Sequence, residues 1–511
     1  MNNKSHKRSN KLKLVKLGID TRQEFILFIR SDCFICISEG FETQARVIVQ
    51  LNKKSIIASL NIIHSDILQK HEASLSESAW EQIGAKEGSL IHISHLLPVN
   101  SINYVRSKIY GNALTASQFY EIISDIVAGK YSNIHLSSFI TACGHDNLSI
   151  KEIIYLTHAM VKTGKRLHWN HPIILDKHSV GGIPGNRTTP IVVAIVAAAG
   201  LIIPKTSSRS ITSPAGTIDT IETMTTVNLS LSKIQKVVAR EGGCMVWGGA
   251  LGLSPADDIL IRVERVLDID PMGQMIASVL SKKIAVGATH VLIDVPVGPT
   301  AKIRSELEFL KYQNYFSLVG NALKLNVITL KTNGNQPLGN GIGPALEAKD
   351  ILAVLHNEKD APIDLKNKAI TLAAILLELG KKIPLQQATE LAIKLLENGT
   401  ALKKFLAICD AQGGFKVPPT SSFTHDVVAL QNGLVTEIDN RNLAKIAKLA
   451  GAPYEPAAGI EFFAKLNTHV EKGQLLYRIH AESKGILDYA CTYALSMPNV
   501  IKIAPEKNME H

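Results

Sequence analysis

Along residues 12–65 apolar and polar positions alternate in short pieces: KLVKLGI, EFILFI, ARVIVQLN and SIIASLNII. A period of two is what a half-buried strand requires, so this stretch predicts a small β-rich domain. Ser89–Leu97 (SLIHISHLL) predicts one more strand before Pro98 breaks the pattern. From about residue 103 apolar positions recur every three and four residues. Ser117–Ala128 and Ser149–Lys162 therefore predict helices, and Ser149 with Glu152 predicts a capping box at the second start. Pro172–Leu175 (PIIL) reads as a short strand, followed by a glycine-rich loop and an apolar helix over 189–199. Ala288–Val297 and Leu325–Leu330 predict buried parallel strands, alternating with helices at 303–312, 345–356, 365–380 and 387–397. That alternation argues for an α/β domain. After Gly413–Gly414 and Pro418–Pro419 the texture shifts again. Strands within Thr424–Ile438 and Ile460–Ile479 flank a helix at 441–450, an α+β terminal unit, and no internal repeat is visible.

The chain of 511 residues has room for about three domains. With 46% hydrophobic and 20% charged residues it is neither disordered nor fibrous. Its 55 Lys and Arg against 45 Asp and Glu leave +10, which suits anionic small molecules and is too dilute to imply nucleic acid. Residues 1–16 carry six lysines and arginines and no acid. With no apolar run or cleavage site behind them they form a basic tail, not a signal peptide. That tail is either an arm for RNA or another anionic surface, or a solvated terminus. Ile191–Ile203 is the strongest apolar run, and its thirteen residues fall short of the ~20 needed to span a bilayer. The expectation is a soluble, cytoplasmic protein without membrane partner. The six cysteines are scattered; Cys33 and Cys36 make a C-x-x-C with no second pair, which favours two buried thiols over a metal or redox site.

Chemistry concentrates in Ile173–Pro190, where DKHSVGGIPGNRTTP leads from a strand into a helix start. Glycines let a backbone approach an oxyanion, and helix-start amides donate to it. Lys177, Ser179, Thr188 and Thr189 add donors, so the loop is either a phosphate cradle or a tightly packed turn. No Gly-Lys-[Ser/Thr] closes it, so it is not a P-loop. Lys205–Thr217 (KTSSRSITSPAGT) follows with seven hydroxyl residues and one arginine in thirteen positions. Directly after a strand-like LIIP it reads as a substrate-facing loop at a strand's carboxyl end.

DKHSVGG, the following AAAGLIIPKTSSRSITSPAGTID, WGGALGLSPAD at 247–257, SVLSKK at 278–283 and KGQLLYRIHA near the C-terminus together resemble the thymidine phosphorylase (pyrimidine-nucleoside phosphorylase) family over residues 100–485. The similarity is closest to the family's long form, which has an extra N-terminal domain and includes archaeal AMP phosphorylase and bacterial type 2 thymidine phosphorylases. The resemblance implies an α/β fold: a helical domain joined to a larger mixed-sheet α/β domain by a cleft that closes on substrate. The expected division is a β-rich domain at 1–97, a helical domain at 98–168 with a contribution from about 255–285, an α/β phosphate-binding domain at 169–415 and the terminal unit at 416–511. The family implies no cofactor, no metal and a homodimer or larger assembly.

It also implies phosphorolysis, in which inorganic phosphate attacks the anomeric carbon as the base leaves. By motif position Lys177, Ser179, Thr189, Ser207 and Thr217 fall where the family holds phosphate. His178 falls on a base contact and Asp270 on a proposed proton donor. Gly182, Ser208, Arg209, Ser210, Ile211, Thr212, Ser213, Ser278, Lys282 and Lys302 fall on substrate contacts. Each position has a plainer reading: a satisfied loop histidine at 178, a solvated helix face at Lys282–Lys283, a turn cap at Asp270. The short forms' pyrimidine-gripping arginine has no aligned counterpart, the nearest being Arg262 and Arg265. Arg209 and Lys302 suit a second anion, a substrate 5′-phosphate. The nominal reaction is thymidine and phosphate to thymine and 2-deoxyribose 1-phosphate. The alternative is phosphorolysis of AMP, CMP or UMP to free base and ribose 1,5-bisphosphate. Rivals from other classes are an RNA-binding protein, a metal-dependent phosphoribosyltransferase of the anthranilate type and an inactive relative.

Overall fold

The computed structural model describes residues 11–505 apart from 22, 23, 145, 182, 211, 212, 268 and 270. The chain forms two compact units, one running to Ala159 and taking in Ile259–Ile269, the other holding Met160–Asp258 and the chain after that insertion.

The first unit opens with β1 (Lys11–Leu14), β2 (Ile26–Arg30), α1 (Phe34–Glu39), β3 (Arg46–Leu51), β4 (Lys54–Ile63), β5 (Glu72–Leu75), α2 (Glu77–Ile83) and β6 (Leu90–His95). The six strands close into a barrel in the order β1-β5-β2-β4-β3-β6 around Leu14, Leu27, Val47, Val49, Leu60 and Ile91. Closure corrects the reading of 1–16 as one basic tail. Leu12 and Leu14 face the core while Lys11 and Lys13 face out, and Lys16 pairs with Glu77 at 3.0 Å; residues 1–10 of the tail lie outside the described chain. Cys33 and Cys36 are both buried, and Cys33 Sγ caps α1 by accepting from the Cys36 amide at 3.2 Å. The unit continues with α3 (Ile102–Ile109), α4 (Ala116–Val127), α5 (Asn133–Ala142) and α6 (Ile150–Lys162), the last crossing into the second unit. The expected capping box forms at α6, where the Ser149 amide donates to Glu152 Oε2 at 3.0 Å and the Glu152 amide to Ser149 Oγ at 3.3 Å.

The second unit carries β7 (Leu175–Ser179), α7 (Thr189–Ala198), β8 (Ile203–Ser207), α8 (Thr217–Glu222), α9 (Leu231–Glu241), β9 (Gly243–Trp247), α10 (Pro255–Leu267, which crosses into the first unit), α11 (Met272–Ala285), β10 (His290–Val297), α12 (Glu306–Ala322) and β11 (Asn326–Asn333). β12 (Gly341–Ile342), α13 (Pro344–His356), α14 (Ile363–Lys381), α15 (Leu385–Glu397) and α16 (Thr400–Gln412) follow. Two parallel sheets, β11-β10-β7 and β8-β9, are joined by an isolated parallel bridge from Ile174 to Ile202. β10 is buried from Val291 to Pro296, as its mostly apolar run predicts. β11 is not; it is an edge strand whose residues are mostly half-exposed. An apolar run alone does not distinguish a central strand from an edge. Helix α7 is buried from Thr189 to Ala197, which accounts for its lack of a polar face.

The chain ends with β13 (Phe423–Val428), β14 (Gly433–Ile438), α17 (Asn440–Leu449), β15 (Gly459–Phe462), β16 (His469–Val470), β17 (Leu475–Ala481), α18 (Lys484–Ser496) and β18 (Ile501–Ala504). Its larger sheet, β12-β15-β17-β13, borrows β12 from the α/β segment.

Candidate functional site

Strand β7 starts later than the apolar pattern predicts. Its ladder with β10 runs from Leu175–His290 to Ser179–Asp294, so Lys177, His178 and Ser179 sit on the strand rather than in the loop behind it. A polar DKHS can form a strand here because Asp176, Lys177 and Ser179 each find a buried partner. Alternation then sorts them: Lys177 and Ser179 share one face, Asp176 and His178 the other.

On the first face Lys177, 1% exposed, donates from Nζ to Thr188 Oγ1 at 3.0 Å and lies 3.8 Å from Asp294 Oδ2. Ser179 Oγ donates to the same carboxylate oxygen at 2.9 Å, and Asn186 Nδ2 donates to both, at 3.0 Å to Ser179 and 3.2 Å to Asp294. Thr332 Oγ1 holds Oδ1 at 2.6 Å, and the Lys368 ammonium is 3.0 Å from Oδ2. Burial pushes the Lys177 ammonium down to about 8 against the pull of Asp294, with Lys368, Arg187 and Lys283 adding to the fall. Asp294 stays below the ordinary carboxylate range, since its cations and Thr332 outweigh burial.

The loop is pinned from below. Gly185 has φ of +71°, and an added Cβ would stand 2.1 Å from the Leu338 carbonyl oxygen. Leu338 N donates back to Pro184 O at 3.1 Å. Thr189 opens α7, buried, with proline in the first turn. β8 lies beside β7, and the offset of the Ile174–Ile202 bridge sets Ser207 level with Ser179 at the strands' carboxyl ends. Thr217 is the first residue of α8, and Asp219 closes the hydroxyl-rich loop by accepting from the Ser210 amide at 2.7 Å and the Gly216 amide at 2.8 Å. Arg187 ties the two loops together, donating to Ala215 O and pairing with Glu347 at 2.6 Å.

On the opposite face Asp176 pairs with Lys283 at 2.7 Å and Lys205 at 3.5 Å, all three buried. His178 is half-buried. Burial and then Lys283, Lys205, Lys282 and Lys177 push it well below its ordinary value, which keeps the imidazole neutral. Lys282 projects from α11 to Asp257 at 2.7 Å, one turn beyond the half-buried Ser278. The solvated-face reading of Lys282–Lys283 is thus corrected, because Lys283 is 2% exposed and Lys282 27%.

Arg209 also has partners within the protein. It gives two N–H groups to Glu222 at 2.5 and 2.8 Å, lies 3.4 Å from Asp219 and stacks over Trp247 at 5.1 Å. Its charge is paired with carboxylates within the protein, and its side chain stays 37% exposed. Ser208 is exposed; Ser210 and Ser213 bond within the loop; Lys302 is half-buried beyond β10. Gly182, Ile211, Thr212 and Asp270 lie outside the described residues. Asp294, Lys368, Asn186, Arg187, Lys205, Asp176 and Glu347 were not picked out from the sequence. A lone carboxylate inside VLIDVPV is a costly residue and was a legible signal. Lys368 reads as an ordinary helix residue.

Residues 171–402 match the glycosyl transferase family a/b domain, residues 102–164 the helical bundle domain of the same family, and residues 434–496 the pyrimidine nucleoside phosphorylase C-terminal domain. A Legionella pneumophila (strain Paris) protein named "Putative thymidine phosphorylase" is 52% identical over 497 residues, 97% of this chain and 96% of its own. An Acidovorax sp. (strain JS42) protein named "Putative thymidine phosphorylase 2" is 51% identical over 495 residues, again 97% and 96%. Among solved structures, anthranilate phosphoribosyltransferase from Thermus thermophilus is 18% identical with a TM-score of 0.49, covering 60% of this chain and 98% of its own.

Proposed function

The chain belongs to the glycosyl transferase family, as a pentosyltransferase carrying a pyrimidine nucleoside phosphorylase C-terminal domain, and from that premise we propose that it catalyses the phosphorolysis of thymidine. The observation that carries this reading is the buried, weakened Lys177 ammonium at the carboxyl end of β7, beside Ser179 and the start of α7. Lys177 and Lys368 share the single carboxylate of Asp294, an excess of buried positive charge that calls for a further anion, and phosphate fits the surrounding donors. Ser207 and Thr217 complete the set from β8 and α8, with Thr189 at the helix start.

In the reaction a phosphate oxygen bonds to the anomeric carbon while the glycosidic pair leaves with the base. The proton lost from that phosphate oxygen balances the one the base gains. Holding phosphate in line removes the entropy of a bimolecular encounter, and its charge stabilises the positive sugar in the transition state. His178 is kept neutral and so hydrogen-bonds to the base without imposing a charge. Lys282, Ser278, Ser208, Ser210, Ser213 and Lys302 belong to the substrate side of this proposal, and Asp270 is its proton donor. The assembly is a homodimer or larger, working in the cytoplasm; no described helix is long and apolar enough to cross a membrane.

Phosphorolysis of a nucleoside 5′-monophosphate is the second reading. It needs another anion site, and the pairing of Arg209 with Glu222 weighs against it. The deciding experiment is phosphate-dependent base release from thymidine, uridine, AMP, CMP and UMP in parallel, without added metal. Turnover of nucleosides alone supports the first reading and turnover confined to monophosphates the second. Release from none of them by folded protein sinks both.

A further inference from the structure

A cluster of side chains shares the Lys177 face of the sheet: Asp294 from β10 opposite Ser179 from β7, Thr332 from β11 diagonally beside Asp294, and Lys368 reaching in from α14. Asp294 is completely buried, and two ammonium groups share its single carboxylate, Lys368 at 3.0 Å and Lys177 at 3.8 Å. The cluster therefore holds one positive charge more than it can balance internally. The Ser179 hydroxyl has one hydrogen, and in this arrangement it is given to Asp294 Oδ2 while Asn186 donates to the oxygen from the other side. So oriented, Ser179 can only accept, and an incoming phosphate needs it to donate.

We propose that Asp294 is an internal stand-in for phosphate, and that Lys368 is the positioning residue that retains the carboxylate when Ser179 and Lys177 turn to the substrate anion. The inference rests on the phosphate site proposed above and names residues that act through it. Once Ser179 and Lys177 leave, Asp294 keeps Thr332, Asn186 and Lys368, and of these only Lys368 carries charge. Without Lys368 the buried carboxylate is neutralised by Lys177 alone, so binding phosphate strips it of its last cation. No proton moves in this exchange; one hydroxyl rotates and one ammonium changes its ion partner.

The sign of the pH effect distinguishes this arrangement from a purely structural role. Lys177 is faced by Asp294 from β10, Lys368 from α14, Arg187 from the loop ahead of α7, Lys283 from α11 and Lys205 from β8. Lys368→Met removes a like charge and leaves Asp294 to Lys177, which raises the Lys177 pKa above its value of about 8. Asp294→Asn removes the anion and lowers it. Lys368→Arg keeps the charge. Lys368 lines an open cavity of about 340 Å³ with Leu330, Thr332, Asn333, Pro337 and Thr371, so a methionine or arginine has room there.

The test is calorimetric titration of the full chain with inorganic phosphate at pH values on both sides of 8, with thermal melting to confirm that each variant is folded. Lys368→Met is expected to weaken phosphate binding at pH 7 by roughly tenfold, the effect of about one pKa unit of lost charge balance. Its alkaline loss of affinity moves to higher pH, that of Asp294→Asn to lower pH, and Lys368→Arg matches the parent. An unchanged affinity and limb in folded Lys368→Met, or shifts of the same sign in both charge-removing variants, overturns the inference. If Asp294→Asn does not fold, the Lys368 pair decides alone. A parent chain that binds no phosphate refutes the phosphate site itself, and the inference falls with it.

Discussion

Lys177 carries an electrostatic debt whose direction can be worked out. Its folded pKa of about 8 lies below the ordinary 10.5, so between these values the unfolded chain binds more protons and stability rises with pH. Below 8 the native state bears the cost of a buried ammonium. Lys177→Met is therefore expected to leave the melting temperature at pH 7 unchanged or higher, while phosphate-dependent turnover falls by about 10²–10³, the loss typical of one oriented charge at a reacting anion. A melt and initial rates on the same preparation check both halves; a strongly destabilised but active variant would contradict the assignment. Asp176 behaves in the opposite sense, because two buried lysines depend on it. Asp176→Asn should cost about 3–5 kcal/mol in a urea titration.

At the scale of elements, the loop between β7 and α7 is held by backbone geometry at one glycine and not at another. Gly185→Ala places a Cβ 2.1 Å from a carbonyl oxygen at a positive φ, whereas nothing stands within 4 Å of a Cβ added at Gly181. Gly185→Ala is expected to displace the loop, to cost at least about 1–3 kcal/mol and to abolish phosphate-dependent turnover. Gly181→Ala should keep most activity, and equal losses in the two would refute the distinction. The capping box at α6 was legible because both partners lie within four residues, and Ser149→Ala should cost about 1 kcal/mol by thermal melting. The start of β7 was misplaced for a physical reason. A hydrophobicity pattern sees DKHS as loop, and only the ladder to β10 and the buried counter-charges make it a strand.

The β-rich character of the N-terminal segment shows in its alternation, but its closure does not. The barrel needs β1 to pair parallel with β5 and antiparallel with β6, partners that lie more than fifty residues away. If this domain promotes assembly, the full chain should form a dimer or larger particle, and a chain starting near residue 98 a smaller one. Light scattering on a sizing column reads the mass directly; an unchanged particle would remove assembly from the barrel's roles.

Family, reaction class and the two donor-rich loops could be read from contiguous residues, since a motif such as DKHSVGGIPGNRTTP carries its own strand end, turn and helix start within fifteen positions. What tertiary structure alone decided is which charges face one another. Ser179 meets Asp294 across 115 residues, and Lys368 joins them from a helix farther along the chain. Arg209, the expected partner of a second anion, proved to be matched by Glu222. Such pairings follow from sheet register and helix docking, which bring together side chains with no local relation in the chain. Which protein carboxylate a cation meets is therefore decided only by the folded molecule.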